Sequence, residues 1–99
     1  ASESGISPLW RACANGHVDI VRLLLAMPGI QINQAANDGT TPLYIACKRA
    51  NADLVELLLA QPGIQINQAA NDGTTPLQVA QENSFTKIVR FLIISLNAA

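Results

Sequence analysis

Residues 28–43 read PGIQINQAANDGTTPL, and residues 62–77 read the same sixteen letters again. Copying on this scale narrows the available folds sharply. An active site is built from unlike residues converging on one place, whereas a chain that stacks copies of one unit needs like residues at a fixed interval. The interval here is 34: Ser7-Pro8-Leu9, Thr41-Pro42-Leu43 and Thr75-Pro76-Leu77 recur at it, as do Ala12, Ala46 and Ala80. Ile20-Val21 returns as Leu54-Val55 and Ile88-Val89, and Leu23-Leu24-Leu25 returns as Leu57-Leu58-Leu59 and Phe91-Leu92-Ile93. Between 7–40 and 41–74, 23 of 34 positions are identical. A period in this range signals a solenoid or array, in which no unit buries its apolar face alone and about three stacked copies are the practical minimum.

Each unit carries the same local grammar. Ser7, Thr41 and Thr75 have the hydroxyl of an N-cap, and the prolines after them suit the first helical position, where no amide hydrogen is wanted. A helix of about eight residues is predicted to follow and to break at Gly16, Ala50 and Ser84. Gly16 fits a left-handed C-cap; alanine or serine there costs about 1–2 kcal/mol more. A second helix is predicted to begin near His17, Asn51 and Phe85, with Asp19 and Asp53 in its first turn facing the positive end of the dipole. Its apolar residues at 18, 20, 21, 24 and 25 have helical spacing, widened by Leu23, and Pro28 and Pro62 stop it. Ile30-Gln31-Ile32 alternates like half a strand, and Asn37-Asp38-Gly39 is a turn signal. The unit therefore reads as helix, turn, helix and extended hairpin-like loop.

These residues resemble the ankyrin repeats. The resemblance is carried by Asp38-Gly39-Thr40-Thr41-Pro42-Leu43, Ala46-Cys47, Gly16-His17-Val18-Asp19-Ile20-Val21-Arg22-Leu23-Leu24-Leu25 and Pro28-Gly29-Ile30-Gln31-Ile32-Asn33. It covers roughly Ser2 to Leu96. It implies an all-α ankyrin-repeat solenoid of three helix-turn-helix units joined by hairpin-like loops, in a single domain over 1–99. The units fall at about 2–35, 36–69 and 70–99. It also implies a concave surface of finger tips and first helices that binds partner proteins. The period departs from the family's usual 33 by one residue, placed at Ala26-Met27-Pro28, so only the helix-to-loop corner should change. Trp10, Tyr44 and Gln78 replace the family's usual histidine after TPL, which should remove a side-chain hydrogen-bond network. Near-perfect copying is what a recent duplication or a designed array would leave.

Composition sets limits on function. The formal net charge of −1 argues against a nucleic-acid surface, which carries a dense basic patch. No stretch approaches the 18 or so apolar residues of a membrane-spanning helix, and ASESGISPLW lacks the basic-then-apolar pattern of a signal peptide. Cys13 and Cys47 lie one repeat apart, which places them about 10 Å from each other in stacked helices, beyond disulfide reach. Two free thiols fit a cytoplasmic setting. The single histidine, His17, has no nucleophile or acid constellation around it, and one histidine with two separated cysteines does not make a zinc site. No catalytic residue, metal or cofactor is therefore expected. Asn33 and Asn67 are expected to hydrogen-bond loop backbone.

Taken with the concave surface that the resemblance implies, the candidate partner-binding residues are Trp10, Asn37, Asp38, Thr40, Tyr44, Lys48, Arg49, Asn71, Asp72, Gln78 and Glu82. The two finger tips are identical, so specificity must come from positions that differ between units: Trp10, Tyr44 and Gln78; Ala14, Lys48 and Glu82; Asn15, Arg49 and Asn83. Aromatics and arginine dominate binding hot spots, which makes Trp10, Tyr44 and Arg49 the expected anchors, with Lys48 and Asp38 at the rim. The competing reading is that Trp10 and Tyr44 fill space under the fingers. Arg11, Gln81 and Thr86-Lys87 read as polar caps, consistent with a complete three-repeat stack and a monomer. The apolar last helix, Phe91 to Leu96, leaves self-association open. A structural or engineered scaffold without a native partner is the remaining alternative.

Overall fold

The computed structural model describes residues 5–97, so Ala1–Ser4 and the last two alanines lie outside the described residues. Six helices alternate with loops: α1 (Pro8–Asn15), α2 (Val18–Leu25), α3 (Pro42–Lys48), α4 (Ala52–Leu59), α5 (Pro76–Glu82) and α6 (Thr86–Asn97). Consecutive helices pair as α1 with α2, α3 with α4 and α5 with α6, and the pairs stack so that α3 lies between α1 and α5. α4 lies against both α2 and α6.

The N-terminal ends form as the sequence demands. The Ser7 hydroxyl accepts from the Trp10 amide, Thr41 from Tyr44 and Thr75 from Gln78, with proline next in each case. Each satisfies one orphan amide of the first turn. The breaks between paired helices also share one geometry. Gly16, Ala50 and Ser84 all have positive φ (73°, 59° and 59°). The amide after each donates back across the corner, His17 to Ala12, Asn51 to Ala46 and Phe85 to Ala80, at 3.0, 3.1 and 2.9 Å. This is a Schellman-type closure, and it explains why the alanine recurs: all three are buried where the paired helices meet. Stacking forces the left-handed conformation on Ala50 and Ser84 despite their side chains. The second helices begin at Val18, Ala52 and Thr86, as expected; Asn51 caps Leu54 through its side chain, while His17 makes no side-chain cap bond.

The core runs along the stack. Leu9, Val21, Leu43, Leu54, Val55, Leu58, Ile88 and Leu92 are buried in one cluster with the repeated alanines. Cys13 and Cys47 are free and buried within it, and desolvation pushes both thiols up to about 12. They behave as small apolar side chains. The Ile30–Ile32 segment does not form a strand, nor does any other described residue. Each loop holds itself by turns, so the hairpin likeness is confined to the finger. In α6, Leu92 is buried but Ile93 and Ile94 are exposed, Ile94 at 65%. No helix among the described residues is long and apolar enough to cross a membrane.

Candidate protein-interaction site

Each finger is built from its own backbone. In the second unit the Ala36 amide donates to the Thr40 carbonyl and the Gly39 amide to the Ala36 carbonyl, both at 2.9 Å. The Asp38 carboxylate closes the turn by accepting from the Thr40 amide at 3.0 Å and the Thr40 hydroxyl at 2.6 Å. The third-unit finger repeats the pattern, with Thr74 donating its amide to Asp72 at 2.9 Å. These bonds favour the charged acids. The Thr40 hydroxyl is the main cause holding the Asp38 carboxyl below its ordinary value, and the Thr74 amide does the same for Asp72. The Lys48 charge acts in the same direction on both aspartates, so Lys48 sits in the field of two adjacent finger tips.

The fingers are tied to each other and to the helices beneath them. The Asn71 amide donates to the Asp38 carbonyl at 2.9 Å, and the Asn71 side-chain nitrogen donates to the Asn37 carbonyl at 2.8 Å. Gly39 lies where the two fingers touch: its φ is +85°, and a Cβ there would come within 2.5 Å of the Asn71 amide nitrogen. From below, the Trp10 indole nitrogen donates to the Thr40 hydroxyl at 3.1 Å. Indole, hydroxyl and carboxylate thus form a chain from α1 to the tip of the next finger. Tyr44 takes the same position one unit on. Burial is the main influence raising its phenol, the carboxylates of Asp72, Glu82 and Asp38 add to it, and a hydrogen bond with Thr74 opposes them. Replacing the family's histidine therefore does not leave the Thr40 finger without support from below: the Trp10 indole supplies a donor there. In the last unit the Gln78 side-chain oxygen accepts from the Thr75 amide at 3.0 Å and closes a capping box.

The expected site residues separate into two groups. Asn37, Asp38, Lys48, Arg49, Asn71, Asp72, Gln78 and Glu82 are exposed, whereas Trp10 is half-buried and Thr40 and Tyr44 are buried. Tyr44, at 6% exposure, is committed to the core beneath the finger and holds no free face for a partner. The charges of Asp38, Asp72 and Glu82 act on its phenol, and Lys48 acts on the two aspartates. Arg49 caps α3 through its backbone, and no described contact joins its guanidinium to that group.

Asn33 does more than hold its own loop. Its nitrogen donates to the Gly63 carbonyl at 2.9 Å and its oxygen accepts from the Gln65 amide at 2.8 Å, so it staples one unit's corner to the next. The identical recurrence of the loop was the available signal for such a contact. Among the described residues, no cluster of three or more His, Cys, Asp or Glu side chains could hold a metal ion.

A family model described as ankyrin repeats, three copies, matches residues 9–99. A search of curated proteins returned no match.

Proposed function

The chain belongs to the ankyrin-repeat family, whose members are generally protein–protein interaction modules and typically non-catalytic, and from that premise we propose that it binds a partner protein on the concave face. The observation that supports this face is its preformed state. Hydrogen bonds close each finger tip on itself, tie the two tips together and hold the inner one to α1, so little ordering cost remains to be met on binding. The contact residues are Asn37, Asp38, Lys48, Arg49, Asn71, Asp72, Gln78 and Glu82. Trp10, Thr40 and Tyr44 lie under them and position the fingers. Alternating charges around Lys48 favour a partner segment of mixed charge, whose register those charges set.

The test is capture of partners from a cell extract on the immobilised chain. A stoichiometric partner should be lost on the Lys48→Glu/Arg49→Glu variant and kept on Glu56→Lys, which alters the exposed side of α4. A partner held equally by both variants excludes the concave face, and repeated empty captures favour a scaffold without a native partner. The buried thiols support a reducing compartment such as the cytoplasm. We take the chain as a monomer. The exposed Ile93 and Ile94 favour a second reading, self-association through α6, which predicts a concentration-dependent mass in sedimentation that Ile94→Lys abolishes.

A further inference from the structure

Equivalent residues in the three units differ in exposure in one systematic way. Ile20 and Leu23 on α2, and Met27 just beyond its C-terminal end, are 47, 71 and 55% exposed. One unit later, Leu54 is 0% exposed and Leu57 and Gln61 are half-buried. In the third unit Ile88 is again buried. Pro8 follows the same rule: it is exposed, whereas Pro42 and Pro76 are buried. The letters barely change; the neighbour does. α4 is covered by α2, and α6 by α4, whereas among the described residues no second helix of an earlier unit lies against the far side of α2. Ile20 and Leu23 are neighbours on one face of α2, and Met27 follows just past the end of the helix, so the first two form one apolar patch and Met27 adds exposed apolar surface at its exit.

We propose that this face is a stacking surface whose occupant is one more helix-turn-helix repeat of the same family, joined on the N-terminal side of unit 1. That repeat presents to unit 1 the surface that unit 1 presents to unit 2. The internal repeat identifies the occupant, because the equivalent faces of units 2 and 3 are already covered in this way by the unit before them. A polar end cap would leave water-tolerant residues here, but the capping expected at this end is confined to Arg11, which stands where Ile45 and Val79 are buried. Its aliphatic stem can cover apolar surface while the guanidinium reaches the rim. A second copy of the chain fits less well. Its free C-terminal face carries Gln78, Gln81 and Glu82 where the covering units carry Trp10 or Tyr44, cysteine, and Ala14 or Lys48. The inference rests on the fold and is independent of the concave-face reading.

The test adds an in-register copy of residues 35–68 ahead of Ala1 in the full chain. Amide exchange across α2 should slow about tenfold or more, towards that of α4, and the thermal midpoint should rise by about 5 °C. Leu23→Glu should remove most of both gains in the extended chain, yet move the midpoint of the original chain by less than about 2 °C. Unchanged α2 exchange, no gain in helical circular dichroism from the added copy, or an equal effect of Leu23→Glu in both chains would overturn the proposal. So would a dimer of the original chain, seen in sedimentation and dispersed by Leu23→Glu, which would assign the face to a second copy.

Discussion

The two identical segments, 28–43 and 62–77, occupy different surroundings. The first lies inside the stack. Asn33 bonds to the next corner, Gly39 is pressed against Asn71, and Thr41 and Leu43 are buried. The second faces outward. No atom lies within 4 Å of a Cβ added at Gly73, and Thr75 and Leu77 are half-buried. The same letters therefore carry different energies. In a solenoid much of a residue's worth belongs to the interface between units, so the inner copy should be sensitive to substitution at positions where the outer one is tolerant.

The largest expected contrast is at the leucines. Leu43→Ala empties a fully enclosed site and should cost about 3 kcal/mol, against about 1 kcal/mol for Leu77→Ala, whose site opens to solvent. Urea denaturation with a fixed m-value reads the difference. Equal losses would mean that the interface does not concentrate stability inside the stack. The glycines come next. Gly73→Ala meets only backbone strain from φ +87°, about 1 kcal/mol. Gly39→Ala meets that strain and the neighbouring finger as well, and should cost about 2 kcal/mol or more. Its added cost should fall when Asn71 is also shortened to alanine, since part of the clash is with that side chain. A smaller contrast separates the asparagines. Asn33→Ala removes two bonds to the next unit and should cost about 1 kcal/mol. Asn67→Ala, at an exposed position with no following corner of the same kind, should stay within about 0.5 kcal/mol of the parent. Comparable losses from both would assign Asn33's role to its own loop.

The sequence made the fold legible because period, caps and stops all reported the same unit. Ser7, Thr41 and Thr75, the prolines after them and the left-handed corners at 16, 50 and 84 depend on near-neighbour chemistry, which a sequence displays. The site was legible only in part. The exposed polar positions follow from the repeat, but Tyr44 and Trp10 look like anchors until their depth and their hydroxyl partners are known. The partners lie in the next unit, 30 residues from each aromatic, and no local pattern announces them. The exposure of the apolar residues of α2 was not legible for a related reason. Ile20 and Leu23 have the spacing of a core face, and whether that face is covered depends on a neighbour that their own unit does not contain.

The finest contrast lies between the two finger aspartates. Both carboxyls are held below their ordinary value, so the stabilisation they give is present above the unfolded value near ~3.9 and is lost as pH falls through the folded value. Asp38 differs from Asp72 in what it is connected to, because the Thr40 hydroxyl that it binds also accepts from the Trp10 indole. Trp10 is the only tryptophan, so its emission reports this chain of bonds and no other. Acidification should change Trp10 emission before helical circular dichroism is lost, with a midpoint below that of an ordinary carboxylate. Asp38→Asn should abolish that step, while Asp72→Asn should leave it in place. If the step survives in Asp38→Asn, the indole is not reading the finger, and the link from α1 to the tip of the next finger carries no weight in solution.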